Sequence, residues 1–497
     1  MTRWLLLVPY FLGGTCASVN QSPSASVKTQ NRTVIGVNDE SSQIQRFLGI
    51  PYAQPPTQSF GPACYKPGLE SNPNSSEDCL TLNIWRGSRQ NGPGALKPVM
   101  VWFYGGGLHT GYTANPRFEG TNIVRISADV GKEILLVSVN YRLGPLGFLN
   151  GQQMVDLDLL NLGMLDQRLA LHWIQKNKLH LGSIQARHDN AGAVSIYFHM
   201  TAYSGRDDNF FRAGILESGG SFPLTYANTS LFQETFDSLI TGTTWASGAN
   251  ALAAQQPECI RQLPIETFLS SVGSSTGQSI DRTFTQTSSQ FALEAGKCVK
   301  VATIVGTNTD ESTNTAPTDV NTTEQLWVPL GTCSTLPTQS PCHHNNNILT
   351  PFTPLTPGLL HKKPCSIFGD IVKIAPARMI ARTLSRNSKD GHTPIYRYRF
   401  NHLPSDTERE QRYVFSNLIP NHPWDQALAE QVSKAWVLFV HGSDPNYKDS
   451  SLPEWPEYGE DGKSMVFNGH GPSIEEDNYR AEAADYIIEN VLLYGAL

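Results

Sequence analysis

Apolar and polar positions alternate along the chain in a way that predicts buried strands covered by helices. Short apolar runs lie at 98–104 (PVMVWFY), 134–141 (ILLVSVNY) and 299–308 (VKVATIVGTN), and longer stretches of helical periodicity separate them. This order is typical of an α/β protein with a large, mostly parallel, twisted sheet flanked by helices. The first two runs continue into glycine-containing loops, and ligands bind beyond the carboxyl ends of such strands.

Two segments have the periodicity of amphipathic helices. One is the segment from Asn161 to Lys178, where Asp166, Gln167 and Arg168 form the predicted polar face. The apolar face is predicted to pack on the sheet and consists of Leu162, Leu165, Leu169, Leu171 and Ile174. The other segment, 481–493 (AEAADYIIENVLL), predicts a helix that closes the fold.

Residues 315–363 interrupt this regular pattern. They are rich in Thr, Pro, Asn and Ser and have almost no periodicity. A structureless loop of that length is uncommon inside a compact domain, so the segment is either a disordered insertion or not native coding sequence. We predict a single domain, residues 19–497, that carries this aperiodic insertion at about 315–363.

The first 18 residues have the layout of a secretory signal peptide. Basic Arg3 precedes the apolar run WLLLVPYFL, and small residues follow, with cleavage expected near Ala17 or Ser18. The alternative is a buried N-terminal strand, which the small residues before Ser18 disfavour. We therefore expect a secreted, extracellular protein.

Composition narrows the range of partners and cofactors. The chain of 497 residues has a net charge of -7 without long runs of one sign, so no basic surface for nucleic acid is expected. No later apolar stretch is long enough to span a bilayer. Cys342, His343 and His344 lack a spaced partner pair, so they indicate a polar loop and no metal site. We expect no cofactor, and the sequence leaves the oligomeric state open.

Cysteines and glycosylation motifs agree with secretion. Cys64 and Cys79 enclose a short polar loop and are the best candidates for a disulfide. The remaining mature cysteines are odd in number, so at least one is free or intermolecular; these are Cys259, Cys298, Cys333, Cys342 and Cys365. N-x-[ST] motifs mark four candidate glycosylation sites, namely Asn31, Asn74, Asn228 and Asn321.

Several ordered strings carry a resemblance to a known family. They are RFLGIPYAQPP, EDCLTLNIW, VWFYGGGLHTGY, VNYRLGPLGFL, NLGMLDQRLALHWIQKN, FRAGILESGG and GTNTDES. From about Phe47 to the C-terminus the chain resembles the type-B carboxylesterase/lipase family of α/β-hydrolases, which includes cholinesterases and fungal secreted lipases. The resemblance implies an α/β-hydrolase fold, an acyl-enzyme mechanism and a small-molecule or lipid ester as substrate. It also implies a disulfide between Cys79 and Cys64.

Part of the catalytic apparatus that the resemblance implies is present. Gly106 and Gly107 follow a predicted strand, and together with Ala191 they would supply the backbone N–H donors of an oxyanion hole. Glu311 resembles the acidic member of the triad in the turn after its strand. Asp310 is the neighbouring carboxylate that has to be excluded.

The nucleophile and the base are absent from the positions that the resemblance implies. The G-x-S-x-G elbow aligns with HDNAG, which places Asn190 at the nucleophile position, and an amide cannot attack an ester. Counting back from the YVF string places Thr407 at the base position. Ser195 lies more than one helical turn beyond the elbow, and His402 lies at a strand end, so neither is expected to substitute.

The stretch before Asn190 also lacks the apolar run that would form the nucleophile strand. From this we expect that strand to be missing, at a high cost in stability. Two hypotheses explain the departures: a non-catalytic relative, or a translated gene prediction with misplaced exon boundaries. The functional alternatives are a secreted carboxylic ester hydrolase, which needs a restored Ser and His, and a secreted binding or adhesion-type relative.

The transcript distinguishes the two explanations. If exon boundaries are misplaced, long-read sequencing across 179–193 and 401–415 is expected to recover a G-x-S-x-G elbow and a histidine. Transcripts that reproduce Asn190 and Thr407 would contradict this expectation and establish the non-catalytic chain.

Overall fold

The structure is a computed structural model, and it describes most of the chain. The described residues are 24–29, 33–52, 60–65, 74–88, 97–177, 184–189, 191–219, 229–241, 260–272, 277–313, 316, 321–322, 362–388, 393–402, 410–418, 423–447 and 452–490. Residues 1–18, where a signal peptide is predicted, and most of 315–363 lie outside them.

Fourteen strands form within the described residues. In chain order they are β1 Ser24–Lys28, β2 Thr33–Asp39, β3 Ile44–Pro51, β4 Ala63–Cys64, β5 Ser75–Ser76, β6 Thr81–Gly87, β7 Val99–Phe103, β8 Leu135–Val139, β9 Ile184–Asp189, β10 Ala213–Glu217, β11 Ala302–Asn308, β12 Ile395–Phe400, β13 Lys463–Phe467 and β14 Ser473–Glu476.

Helices connect the consecutive strands from β7 to β13. They are α1 Thr121–Asp129, α2 Gly144–Phe148, α3 Gln152–Asp156, α4 Leu162–Lys176, α5 Ala191–Gly205, α6 Thr229–Thr241, α7 Ile265–Ser271, α8 Ser289–Glu294, α9 Lys362–Gly369, α10 Ala375–Asn387, α11 Glu410–Val414, α12 Pro423–Gly442 and α13 Ala481–Glu489. Pro116–Phe118 forms a short 3₁₀ turn, and Asp370–Ile374 forms a π-helical turn between α9 and α10. In the described part of the chain, no helix combines the length and hydropathy that a bilayer crossing requires.

Twelve strands make one sheet with a parallel centre. Their order is β1-β2-β3-β6-β8-β7-β9-β10-β11-β12-β13-β14, and the pairs from β8 to β13 are parallel. Strands β7, β8, β10 and β11 are buried over their whole length, as the apolar runs predict for strands covered on both faces. The predicted α/β-hydrolase architecture is therefore confirmed, with antiparallel pairs added at both edges.

The expectation that the nucleophile strand is missing is wrong. Residues 184–189 form β9, which pairs in parallel with β7 on one side and β10 on the other. Val99 to Phe103 align with Ile184 to His188, so the pairing is continuous. Backbone hydrogen bonds need no particular side chain, and an empty slot between two buried strands would leave their N–H and C=O groups unpaired. A strand therefore forms here although the segment lacks an apolar run.

Helix α4 forms where it is predicted, but its predicted polar face is buried. Asp166, Gln167 and Arg168 are each less than a tenth exposed, whereas Leu169 is 45% exposed. Each buried polar side chain has a partner. Asp166 accepts hydrogen bonds from Arg142, Gln167 donates to Ser195, and Arg168 forms an ion pair with Asp208. Tertiary pairing has overridden the pattern of hydrophobicity along this helix.

The disulfide between Cys64 and Cys79 is present. It joins β4 to the segment that leads into β6, across the small parallel pair β4–β5. Cys298 and Cys365 are buried thiols, and burial raises the pKa of both. The other predicted mature cysteines, Cys259, Cys333 and Cys342, lie outside the described residues.

A buried cluster of charges ties the end of the sheet to α10. Asp477, after β14, accepts two hydrogen bonds of 2.8 Å from Arg378 of α10 and one from the Tyr458 hydroxyl. Arg397 of β12 lies 3.0 Å from the same carboxylate. Burial alone raises the pKa of Asp477, but the Arg397 charge and the Arg378 hydrogen bonds outweigh it and hold the pKa well below its usual range.

We expect Asp477→Asn to be strongly destabilising. The substitution leaves the guanidinium groups of Arg378 and Arg397 buried without their carboxylate, which typically costs about 3–5 kcal/mol. Urea unfolding at pH 7 measures the loss. Asp129→Asn is the matched control, because Asp129 forms an exposed ion pair with Arg125 within α1 worth about 0.5 kcal/mol or less. Equal unfolding midpoints for the two variants would contradict the stabilising role assigned to Asp477.

Candidate active site

The strand order reverses at β7, and the candidate site lies there. From β7 the chain runs through α1 to β8 on one side, and β9 then pairs on the other side of β7. Such a switch point opens a crevice at the carboxyl ends of the strands, where ligands bind in open α/β sheets. The loops after β7, β9, β10 and β11 therefore meet at one edge.

The loop after β7 requires glycine for conformational reasons. Gly106 and Gly107 have φ values of +118° and +64°, which L side chains rarely adopt. A Cβ at Gly106 would lie 2.3 Å from the carbonyl oxygen of Thr110. The Gly106 carbonyl accepts hydrogen bonds from the N–H groups of His109 and Thr110, which closes the turn. The fold thus holds an open glycine backbone beside the end of β9.

Strand β9 lies beside β7 in the sheet, and a single residue separates it from the helix that follows. Strand β9 ends at Asp189 and α5 begins at Ala191. Asn190, at the predicted nucleophile position, lies between them and outside the described residues. Ser195 of α5 is fully buried and accepts a hydrogen bond of 3.0 Å from Gln167. This agrees with the prediction that Ser195 cannot replace a nucleophile at the elbow.

Glu311 lies in the turn after β11 and is almost completely buried. Its Oε1 accepts a hydrogen bond of 2.7 Å from the backbone N–H of Asn308, the last residue of the strand. No donor among the described residues reaches its Oε2. One oxygen is therefore anchored, and the other remains available to a donor that the described residues do not supply.

The neighbouring carboxylate, Asp310, is engaged differently. It forms an ion pair with Lys362 at the start of α9, and 29% of its side chain is exposed. This pairing distinguishes the two carboxylates of the turn. Glu311 is the buried one, and it is the residue that the resemblance assigns as the acid.

A second buried carboxyl group lies beside Glu311. Glu410, at the start of α11, accepts a hydrogen bond of 2.7 Å from the Ser218 hydroxyl and one of 2.6 Å from the Asn308 side-chain amide. The same amide lies 2.8 Å from the Ser218 oxygen and 3.4 Å from Glu311 Oε1. Asn308 and Ser218 therefore connect the two carboxyl groups into one network.

A third carboxyl group completes this acid cluster. Glu217 ends β10, is fully buried, and accepts a hydrogen bond of 2.7 Å from the Trp436 indole. Burial raises the pKa of Glu410 to about 8, and the charges of Glu311 and Glu217 add to that shift. Burial also raises the pKa of Glu311, although the positive charge of Lys373 acts against it. Glu410 is thus mostly protonated at neutral pH.

The end of α9 and the π-helical turn that follows it lie close to Glu311. Gly369 packs so closely that a Cβ there would lie 3.1 Å from the Cβ of Glu311. Lys373 of the π-helical turn is buried, and its positive charge stabilises the ionised form of Glu311. Single π turns are frequent at functional sites because the extra residue re-aims neighbouring side chains.

Among the described residues near the predicted base position, no histidine pairs with Glu311. Thr407 lies outside the described residues. His402 Nε2 lies 2.5 Å from Asp425 Oδ1, and Tyr413 donates to the same carboxylate oxygen. Asp425, and not Glu311, is thus the acidic partner of His402. Within the described part of the chain, no three His, Cys, Asp or Glu side chains are grouped to hold a metal.

Sequence reasoning missed the partners of the acid. Glu217 and Ser218 lie inside the FRAGILESGG string, and Asn308 ends a predicted strand, so the signals were present without an assigned role. Glu410 lies in the charged stretch DTEREQR, which has the composition of a solvated surface. Only the tertiary fold reveals that one of these carboxyl groups enters the core.

Comparisons with known proteins agree with this geometry. Residues 57–486 match the carboxylesterase family. Secreted lipase 1 of Botryotinia fuckeliana is 28% identical over 567 aligned residues, which cover 95% of this chain and 93% of the relative. A secreted triacylglycerol lipase of Gibberella zeae is 25% identical, with 95% and 91% covered. The crystal structure of Aspergillus niger EstA has the same fold, with a TM-score of 0.79 at 23% identity, and the match covers 95% of this chain and 99% of that one.

The raised pKa of Glu410 predicts a pH-dependent stability. Between about pH 4.5 and 8 the folded protein holds a proton that the unfolded chain has released, so stability falls as pH rises through this window. We expect Glu410→Gln to make the slope of unfolding free energy against pH shallower by up to about 1.4 kcal/mol per pH unit, which corresponds to one proton. The glutamine oxygen can accept from Asn308, and its NH₂ group can donate to the Ser218 oxygen, so both contacts are kept with the second one reversed. Urea unfolding from pH 4 to 9 measures the slope.

Glu476→Gln is the control for this measurement. Glu476 ends β14 and is exposed, so its amide variant is expected to keep the slope of the unmodified protein. If Glu410→Gln also keeps that slope, Glu410 does not carry the buried proton.

Proposed function

The chain belongs to the carboxylesterase family, and on that premise we propose that its site is organised for hydrolysis of carboxylic esters. The proposed route is an acyl-enzyme, in which a nucleophile attacks the ester carbonyl and water later releases the acid. Such a route needs an acid, a base, a nucleophile and donors for the oxyanion. The chain keeps the proposed acid and the proposed oxyanion donors.

The observation that carries the proposal is the state of Glu311. A carboxylate in the core is costly unless its oxygens are satisfied. Here Asn308 satisfies Oε1, and Oε2 has no donor among the described residues. An imidazole N–H is the donor that a catalytic acid holds in place, and the carboxylate in turn stabilises the imidazolium that forms.

The glycine loop supports the same chemistry. Positive φ values at Gly106 and Gly107 keep the backbone free of side chains at the edge where β9 ends. We propose that their N–H groups, with that of Ala191 at the start of α5, bind the oxyanion of the tetrahedral intermediate. Each such donor contributes roughly 3–4 kcal/mol to the transition state in comparable sites.

Two positions make the chain inactive as it stands. Asn190 occupies the proposed nucleophile position, and its amide nitrogen is delocalised into the carbonyl. Thr407 occupies the proposed base position and cannot accept a proton at neutral pH. We propose that this chain is a hydrolase scaffold whose turnover requires a serine and a histidine at these two positions.

The relatives suggest the substrate class and the location. Two of them are named secreted lipases, which supports a lipid or other carboxylic ester as substrate and supports export of the chain. The predicted glycosylation sites Asn74 and Asn321 are exposed, as attachment of a glycan would require, whereas Asn31 and Asn228 lie outside the described residues. We propose a secreted glycoprotein whose hydrolase scaffold is built for carboxylic esters and turns them over only with a serine at 190 and a histidine at 407.

A secreted binding or adhesion-type protein is the second candidate. The observation that favours it is the amide at Asn190 and the hydroxyl at Thr407, because a binding protein needs neither a nucleophile nor a base. The retained glycine loop and the buried Glu311 favour the hydrolase, since binding alone gives no reason to keep an unsatisfied carboxylate in the core.

The double variant Asn190→Ser, Thr407→His tests the proposal. We expect it to hydrolyse p-nitrophenyl butyrate with a burst of one acyl-enzyme equivalent, and we expect each single variant to be close to the uncatalysed rate because triad members act as a unit. Covalent labelling by a phosphonate ester reports the nucleophile independently of turnover.

Two further variants in the double background separate the roles of the neighbouring carboxylates. Glu311→Gln is expected to lower kcat by roughly 10³- to 10⁴-fold, as when a triad acid loses its charge. Asp310→Asn is the matched control and should leave kcat nearly unchanged, because Asp310 pairs with Lys362. A folded double variant that shows neither a burst nor phosphonate labelling would refute the hydrolase proposal and favour the binding protein.

A further inference from the structure

A cavity of about 460 Å³ lies beside the disulfide, apart from the acid cluster. Cys64, Cys79 and Leu80 form one side, and residues of α2, α3 and α7 form the others. None of its described lining residues belongs to the acid cluster or to the glycine loop. Its volume falls in the range of pockets that hold small ligands, roughly 300–1,000 Å³.

The lining is mostly aliphatic. Its described residues include six leucines, two isoleucines, one methionine and one proline, and Phe268 is the single aromatic side chain among them. A planar ring would find no second aromatic surface among these residues to stack against. A flexible methylene chain, by contrast, can contact leucine and methionine side chains along its whole length. The chemistry of the wall therefore favours an aliphatic chain.

The charges at the cavity are balanced. Arg142 lines it, but its Nε and Nη2 atoms each donate a hydrogen bond of 2.7 Å to Asp166, which neutralises the guanidinium. The other charged side chains among the described lining residues are Glu77 and Arg261, which are exposed and of opposite sign. A ligand with a formal charge would gain at one of them and lose at the other. An uncharged head group fits this balance.

The walls are fixed before any ligand arrives. The disulfide anchors one side covalently, and the bidentate Arg142–Asp166 pair anchors the start of α2. Leu149, Met154 and Phe268 line the cavity and also belong to a satellite core shared with α6. A preformed apolar pocket loses little conformational entropy on binding, so most of the free energy of chain burial appears as affinity.

We propose that this cavity is a binding site for the aliphatic chain of an uncharged single-chain amphiphile, such as a long-chain alcohol or its ester. The site is independent of the proposed hydrolytic chemistry. It needs neither a nucleophile nor a base, so the chain binds such a ligand as it stands.

Titration of the full-length protein with straight-chain 1-alkanols from hexanol to dodecanol, below their solubility limits, tests the proposal by calorimetry. We expect affinity to rise roughly fourfold per added methylene, because each buried CH₂ contributes about 0.8 kcal/mol. The rise should stop at the chain length that fills the cavity. Decanoate, which has a similar chain and a negative charge, should bind more weakly than decanol.

Two cavity-filling variants locate the site. Leu146→Trp and Leu263→Trp enlarge half-buried lining side chains and are expected to weaken decanol binding at least tenfold. Leu157→Trp is the matched control, because Leu157 is 45% exposed and is not among the described lining residues, so affinity should not change. Near-ultraviolet circular dichroism and thermal unfolding verify that each variant is folded.

Three outcomes would overturn the inference: no decanol binding, equal binding by all three tryptophan variants, or binding of decanoate but not of decanol. None of them bears on hydrolysis, which is measured on different variants with a different substrate. Failure of the restored serine and histidine to hydrolyse esters would likewise leave this binding experiment unaffected.

Discussion

Parallel pairing of β9 with both of its neighbours is the constraint on which the rest of the structure depends. On one side of β9 lie β7 and the five strands beyond it, and on the other lie β10 to β14. The glycine loop belongs to the first half of the sheet and Glu311 to the second. Only β9 joins the halves within the sheet, so its backbone hydrogen bonds set the distance across which any nucleophile, acid and oxyanion donors would cooperate.

Two kinds of buried charge appear in this fold, and they serve different ends. Asp477 is surrounded by two arginines, and Asp166 by a bidentate arginine, so each is stabilised in its ionised form. The acid cluster is different. Glu311 and Glu410 share the Asn308 amide, Glu217 accepts from the Trp436 indole, and the positive charge of Lys373 acts on Glu311. A cluster of carboxyl groups that served stability alone would have more positive charges and hydrogen-bond donors around it. The imbalance is typical of a site, where pKa values are shifted for chemistry.

Loss of catalytic side chains need not dismantle such a site. A strand, a glycine turn and a buried carboxyl network are held by backbone pairing and by contacts among many residues. A nucleophile or a base is one side chain, and its removal leaves the surrounding hydrogen bonds in place. The strand, the glycine turn and the buried carboxyl network are therefore compatible with Asn190 and Thr407 at the proposed nucleophile and base positions, and the proposed binding cavity is separate from them.

The sequence by itself determined the α/β architecture, the strands around β7, β8 and β11, the Cys64–Cys79 disulfide and the family. Strongly apolar runs carry the strands, because burial of a whole strand leaves few alternatives. The short polar loop between the two cysteines carries the disulfide, and the ordered strings carry the resemblance to the family. Only the tertiary structure decided that residues 184–189 form a central strand, that the polar face of α4 is buried, and that Glu410 joins Glu311. In each of these cases a partner distant in sequence supplies the hydrogen bonds. The local pattern of hydrophobicity does not predict such partners.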